Sequence, residues 1–310
     1  MKVSSTLECL LCRKKLIPTN IPTRTKYAAS ENFKNNINKK SKSVSEGREV
    51  LFGIHPIQLA LTAKRRKLYK LYIKETASNL QGDQSYISVS MAAEGIVEKQ
   101  WVTRYFLDKL SGFRPHQGVC LEAGPLVIPD MDISKAISLS VSNTKEKFPV
   151  WLLPYRVKDP MNLGAILRSS YFLGVDRVVL PVVHTCPLNP VVSKASAGAM
   201  EVINISQVKN DGDVTTVVQK WKDFGGQVVG ACLSDADNTV QVQDFSVQHP
   251  TLLIVGNEEK GIKDTISSMC DTYIGIYPAS NVHKQVDSLN VSVATGILLH
   301  HLTKNNKTFK

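Results

Sequence analysis

The sequence predicts an α/β protein made of two folded parts behind a basic leader. Three observations carry that expectation. From Phe148 onward, short apolar runs alternate with stretches of helical periodicity, the pattern of a mainly parallel sheet covered by helices on both faces. Residues 47–124 hold a second, smaller mixture of strand-like and helix-like segments, of ordinary domain size. The first 46 residues resemble neither. With 43% hydrophobic and 21% charged residues in a chain of 310, the composition is too apolar for a wholly disordered protein. No apolar run approaches the roughly 18 residues that a membrane-spanning helix needs.

Charge separates the leader from the rest. The net charge is +11, yet residues 1–46 alone hold ten Lys/Arg against three acidic residues, leaving only +4 for the other 264. The leader is rich in Ser, Thr, Asn and Lys and buries too little apolar surface to offset its ordering entropy. Leu7, Leu10 and Leu11 could form an apolar stripe beside Arg13, Lys14 and Lys15, which suggests a mitochondrial transit peptide. A flexible basic arm on RNA phosphate is the alternative. Cys9 and Cys12 have the spacing of half a zinc site. The other four cysteines are scattered and no second half completes it, so no metal and no secreted disulfide framework is expected.

In residues 47–124, an apolar run at 50–54 precedes a helix begun by His55-Pro56, with Ile57, Ala60 and Leu61 at helical spacing. Lys64, Arg65, Arg66 and Lys67 fall at that helix's end, where cations favour the macrodipole. With Tyr69 and Tyr72 on the next strand (68–73) they form a candidate RNA grip through phosphate contacts and stacking, or else a solvated helix end beside core tyrosines. Residues 101–110 are expected as a helix and 117–123 as a strand. The stretch 125–147, with Pro125, Pro129 and a Ser/Asn/Lys-rich run, is expected as a linker. In residues 148–310, strands are expected at 150–157, 177–182, 227–233, 251–255 and 272–277. Helices are expected at 162–173, 191–200, 214–224, 261–269 and 288–302.

Ligands of open α/β sheets bind beyond the carboxyl ends of the strands, which directs attention to three turns. The first runs from Asp159-Pro160 into a helix whose apolar stripe is Leu163, Ile166, Leu167 and Tyr171. Arg168 lies about 140° from Leu163 and is free to face solvent, a ligand or another subunit. The second is an apolar strand that breaks at Gly256, where a backbone can approach a ligand closely, followed by Asn257, Glu258, Glu259, Lys260 and Gly261. Neither a P-loop nor a strand-coupled dinucleotide fingerprint is present. The third begins at Asp287 and Ser288, either of which can cap the last helix, and places the polar Asn290 at its otherwise apolar start.

These three segments, in this order on one domain, resemble the signature motifs of the SpoU branch of SPOUT RNA methyltransferases. So does the intervening segment from Val191 through Ser193, Lys194, Ser196 and Gly198 to Ala199. Upstream, Leu51-Phe-Gly-Ile-His-Pro56 and His116-Gln-Gly-Val119 are similar to that family's small ribosomal-protein-L30e-like RNA-binding domain. Within the family the resemblance is strongest to mitochondrial large-subunit rRNA guanosine 2′-O-methyltransferases, which strengthens the transit-peptide reading. It implies a mitochondrial leader (1–46), an L30e-like domain (47–124), a linker (125–147) and a SPOUT domain with a deep trefoil knot (148–310).

The resemblance further implies S-adenosylmethionine held by Gly256, Asn257, Ile276, Leu289 and Asn290. Asn162, Arg168, Glu258, Ser288 and Asn290 would surround the acceptor ribose. It also implies a homodimer in the mitochondrial matrix acting on large-subunit rRNA. RNA contacts are expected from Lys64, Arg65, Arg66, Lys67 and Arg114. No histidine lies within the three motifs, which disfavours an imidazole base, and a guanidinium stays protonated. Arg168 is therefore expected to stabilise a developing alkoxide or to grip the adjacent phosphate. Glu259 stands where the family carries Gly, Tyr277 interrupts its usual Ile-Pro, and the loop 279–286 is longer. The alternatives are a tRNA 2′-O-methyltransferase of the same family and a catalytically idle ribosome-assembly factor.

Overall fold

A computed structural model describes residues 47–75, 84–128, 132–142, 147–232, 239–257, 260–279, 281–283, 285–286, 288–304 and 306. The leader with Cys9 and Cys12, and Glu258, Glu259 and Asp287, lie outside the described residues.

The first half runs β1 (Glu49–Phe52), α1 (Ile54–Ala63), β2 (Leu68–Lys74), α2 (Gln84–Ala92), β3 (Glu98–Val102), α3 (Arg104–Leu110) and β4 (Val119–Ala123). Its sheet has the order β1-β4-β2-β3, with β4 antiparallel to both neighbours and β3 parallel to β2. Ile57, Leu61, Leu71, Ile73 and Leu121 form its core on one face. Phe52, Val102, Leu107 and Cys120 form a smaller cluster. The helix expected over 101–110 is a strand followed by a helix. Trp101 and Val102 pair with β2, and the Thr103 side chain accepts the Phe106 N–H to start α3 afresh. The stretch expected as a linker carries α4 (Ile133–Ser142), whose Ala136 and Ile137 are buried in the core of the second half.

The second half continues with β5 (Val150–Pro154), α5 (Pro160–Phe172), β6 (Arg177–Pro181), α6 (Pro190–Ala195), a 3₁₀ turn (Ala199–Glu201), β7 (Ile205–Val208), α7 (Asp211–Asp223) and β8 (Gln227–Ala231). Then come β9 (Thr239–Gln241), a second 3₁₀ turn (Val242–Asp244), β10 (Thr251–Val255), α8 (Asp264–Ser267), β11 (Thr272–Gly275) and α9 (Val291–Lys304). All pairs in the sheet β7-β6-β5-β10-β8-β11-β9 are parallel, as the alternation predicts.

Strand periodicity sorts the core onto two faces. Val150, Leu152, Leu253 and Val255 pack with Leu163, Ile166 and Leu167 of α5 and Leu298 and Leu299 of α9. Trp151, Leu153, Leu252 and Ile254 pack with Val214, Val217 and Trp221 of α7. Full burial of each such side chain stabilises the fold by about 1.5–3 kcal/mol. Asn306 ties the end of α9 to the start of β5, its side chain accepting the Phe148 N–H at 2.8 Å and donating to the Phe148 carbonyl at 2.5 Å. Among the described residues no helix is long and apolar enough to cross a membrane.

Candidate active site

Because β10 inserts between β5 and β8, the carboxyl ends of β10, β8 and β11 adjoin one another, and α9 starts beside them. They enclose a cavity of about 480 Å³. Its lining is mainly apolar, with Val255, Ile262, Ile274, Ile276, Leu289 and Leu298, and its polar side chains include Asn257, Ser267, Ser288, Asn290 and Thr295. Among the described residues no Asp, Glu, Lys or Arg lines it. At Gly256 the backbone comes so close that a Cβ would lie 2.7 Å from the Gly261 carbonyl oxygen. Backbone hydrogen bonds between Asn257 and Gly261, 3.0 Å each way, close this loop. Gly261 takes φ +63, a value that favours glycine. Asn257 Nδ2 donates to the Arg156 carbonyl at 3.0 Å, tying the loop to the turn after β5.

That turn leads into α5. The Asp159 carboxylate caps it by accepting the N–H groups of Met161 and Asn162. The buried face of α5 is Leu163, Gly164, Ile166, Leu167 and Ser170. Tyr171, expected on the apolar stripe, is 52% exposed; Ser170 takes the buried position and satisfies its hydroxyl on the Ile166 carbonyl. Arg168 is exposed, as its angular position predicts.

The cap of α9 differs from expectation. Asn290, rather than Ser288, performs it. Its Oδ1 accepts the Ser292 N–H at 2.8 Å and its carbonyl accepts the Ala294 N–H at 2.9 Å. The same side chain reaches the first motif: Asn290 Nδ2 donates to Asn162 Oδ1 at 3.0 Å. One residue thus lines the cavity, starts the last helix and joins it to the helix that carries Arg168.

Residues 149–300 match the SpoU rRNA Methylase family, and residues 50–127 match the RNA 2′-O ribose methyltransferase substrate-binding family. The mitochondrial rRNA methyltransferase 1 of Homo sapiens is 36% identical over 270 residues, covering 84% of this chain and 74% of that protein. The protein of the same name from Schizosaccharomyces pombe is 31% identical over 299 residues, covering 87% and 94%. The chain belongs to the SpoU methylase family. Solved structures agree at the level of fold. The SpoU methyltransferase AviRb from Streptomyces viridochromogenes, in complex with AdoMet, superposes with a TM-score of 0.63 at 21% identity, covering 83% of this chain and 90% of that one. An RNA 2′-O ribose methyltransferase gives 0.64 at 19% identity, covering 90% and 97%.

Within this SpoU chain, Gly256, Asn257, Ile276, Ser288, Leu289 and Asn290 all line the cavity, and Asn162 is hydrogen-bonded to its rim. Cys232 just after β8, Tyr273 of β11 and Thr295 of α9 also line it and carry no signal in the sequence, since they lie on three separate segments. Burial pushes the Tyr273 hydroxyl's pKa up, so the group there is a neutral phenol. Glu258 lies outside the described residues.

The basic cluster does not stay together. Lys64 ends α1 at φ 54, a left-handed residue that turns the chain and separates the side chains after it. Lys64 and Lys67 are exposed. Arg66 is buried, with Nε 2.7 Å from Glu201 Oε2, so it has no surface to offer RNA. Arg65 is half-buried and its Nη1 donates to the Glu201 and Ile203 carbonyls; burial lowers its pKa. Arg114 is exposed beside Phe113. Two aromatic side chains of the same half are also exposed, Tyr105 at 61% and Phe113 at 73%. Their interleaving with Arg104, Lys109 and Arg114 was a readable signal. His116 is structural: it is buried, its Nδ1 accepts the Gly118 N–H, and its Nε2 lies 3.0 Å from Asp108 Oδ1.

Proposed function

We propose that this SpoU protein is an S-adenosylmethionine-dependent enzyme that methylates the ribose 2′-hydroxyl of a guanosine in mitochondrial large-subunit rRNA. The observation that carries the reading is the Asn290–Asn162 hydrogen bond, which joins a cofactor-sized cavity to the helix bearing Arg168. S-adenosylmethionine suits the cavity: it is mostly apolar, free of charged side chains among the described residues, and has backbone exposed at the Gly256 turn. Gly256, Asn257, Ile276, Leu289 and Asn290 would hold it, and when bound it supplies an electrophilic methyl group on a sulfonium. The ordering of Asn290 by its cap and by Asn162 presets the rim before RNA arrives. Asn162 and Asn290 then orient the ribose. Arg168, on the exposed side of the same helix, would donate N–H to the 2′-oxygen as its proton passes to water, or to the neighbouring phosphate. Glu258 and Ser288 complete the proposed ribose site.

The small half supports an RNA substrate. Phe113 is largely exposed at φ 59, a conformation bulky residues rarely take, and Lys109 Nζ lies 4.5 Å from the Tyr105 ring centroid. These rings, with Lys64, Lys67 and Arg114, would stack bases and neutralise phosphates. Met161 and Phe172 on α5, the helix of the exposed Arg168, and Val293 and Ile297 on α9 are exposed apolar residues. They support a homodimer in which Arg168 completes a site shared with the partner. The reading carries with it the trefoil knot, the matrix location and the leader as import signal; the mitochondrial names of the relatives support the last two. Mapping ribose methylation across mitochondrial RNA after loss of the gene tests it. Disappearance of one methylated guanosine from large-subunit rRNA is expected. Disappearance from a tRNA would replace the substrate, and an unchanged map with no cofactor binding by calorimetry would leave a scaffold.

A further inference from the structure

Three stretches that take no part in the cavity converge elsewhere: residues 51–56, 116–119 and 189–200. The segment of α6 and its 3₁₀ turn lies along β1, the edge strand of the small sheet, and reaches both of its faces. Val191 packs on the Phe52, Val102 and Leu107 cluster. Gly198, at φ +84, sits on α1; a Cβ there would lie 2.9 Å from the His55 carbonyl oxygen. Lys194 Nζ donates to Gln117 Oε1 at 2.5 Å, and the same oxygen accepts the Ile54 N–H at 3.3 Å.

The centre of this contact is ionic. The Arg66 side chain is 0% exposed and that of Glu201 1%. Arg66 forks onto the carboxylate, Nε to Oε2 at 2.7 Å and Nη2 to Oε1 at 3.2 Å. Its Nη1 donates to Glu49 Oε2 at 2.7 Å and to the Gly124 carbonyl at 2.9 Å. Ser193 Oγ donates to Glu201 Oε1 at 2.7 Å. A buried ion pair contributes little stability compared with apolar packing, whereas its fork fixes both distance and direction. On its other side, α6 abuts α5 at Gly164, where a Cβ would lie 3.0 Å from the Val192 carbonyl oxygen. Gly164 stands between Asn162 and Arg168.

We propose that α6 and its 3₁₀ turn are a rigid coupling that registers the RNA-gripping half against the helix carrying Asn162 and Arg168, with Arg66 and Glu201 as positioning residues. The proposal rests on the ribose methyl-transfer reading above. It is tested on the full-length protein with Glu201→Gln, which keeps volume but removes charge, and with the milder surface variant Lys194→Ala. Two measurements are made on each: hydrogen exchange by mass spectrometry, and methyl transfer to large-subunit rRNA transcribed in vitro. Exchange is expected to rise in residues 54–63 and 190–201 and to stay unchanged in 251–255. The kcat/KM for RNA is expected to fall at least tenfold for Glu201→Gln and about threefold for Lys194→Ala, with the S-adenosylmethionine dissociation constant within twofold of wild type. Unchanged exchange and RNA kinetics overturn the coupling, as does parallel loss of cofactor affinity and of protection in 251–255, which marks a general stability role. If Glu201→Gln does not fold, Lys194→Ala decides by the same criteria. A wild-type protein that binds cofactor but methylates no RNA overturns the methyl-transfer reading instead, and the exchange pattern still decides the docking.

Discussion

The turn after β10 and the end of α1 both concentrate polar residues in a few positions, and the structure treats them in opposite ways. Around Gly256 the local sequence already defines the loop: a strand stops, a glycine lets the backbone close on Gly261, and Asn257 pins the loop. At 64–67 four consecutive cations are equivalent in sequence and unlike in space. Lys64 and Lys67 face solvent, Arg65 caps carbonyls, and Arg66 is sealed on Glu201. Backbone geometry is set within a turn. Burial of a charge is set by a partner 135 residues away.

Substitutions at these two places sharpen the contrast. Arg66→Ala leaves Glu201 buried without its cation and is expected to cost about 3–5 kcal/mol of local protection in residues 54–63 and 190–201, read by hydrogen exchange. Lys67→Ala, on the same turn, should leave stability within about 0.5 kcal/mol. Similar exchange in these segments for the two would erase the distinction. In the catalytic half, Arg168→Lys keeps the charge and loses the fork. Turnover at saturating RNA and cofactor should fall about 100-fold with the fold intact, because Arg168 is exposed; near wild-type turnover removes the proposed role. Gly256→Ala puts a methyl against the Gly261 backbone and should weaken S-adenosylmethionine binding at least tenfold by calorimetry, without altering RNA binding in filter assays. Phe113→Ala should weaken RNA binding about fivefold, within the range of one lost stack, while cofactor affinity stays unchanged. The smallest effect is again at Lys67, whose removal should lower the salt dependence of RNA binding by about one phosphate contact.

The expected strands at 150–157, 177–182, 227–233, 251–255 and 272–277 each contain an observed strand, because central parallel strands are continuous apolar runs bounded by turns. The short strands β7 and β9 at the two sheet edges, and β3 at the edge of the small sheet, lacked such runs and were missed. Trp101 illustrates why: half exposed, it reads equally well as helix or strand, and pairing with Ile73 decides between them. Helix α4 was hidden by its Ser- and Lys-rich surroundings, although Ala136 and Ile137 are buried among core residues of the larger sheet. In the site, Gly256 and Asn290 were legible from their turn chemistry. That Asn290 would cap α9 and hold Asn162 was not, since a hydrogen bond across 128 residues leaves no local trace.

The sequence by itself determined the central parallel strands, the helices between them and the three turns proposed as the site, because periodicity and turn residues act over a few neighbours. The tertiary structure alone decided which polar side chains meet. It set Asn162 against Asn290 beside the cavity and Arg66 against Glu201 beneath α1. It left Arg168, Lys64 and Lys67 facing outward. The physical reason is that a charge or an amide has no fixed role until its burial and its partners are known, and both depend on segments far apart in the chain.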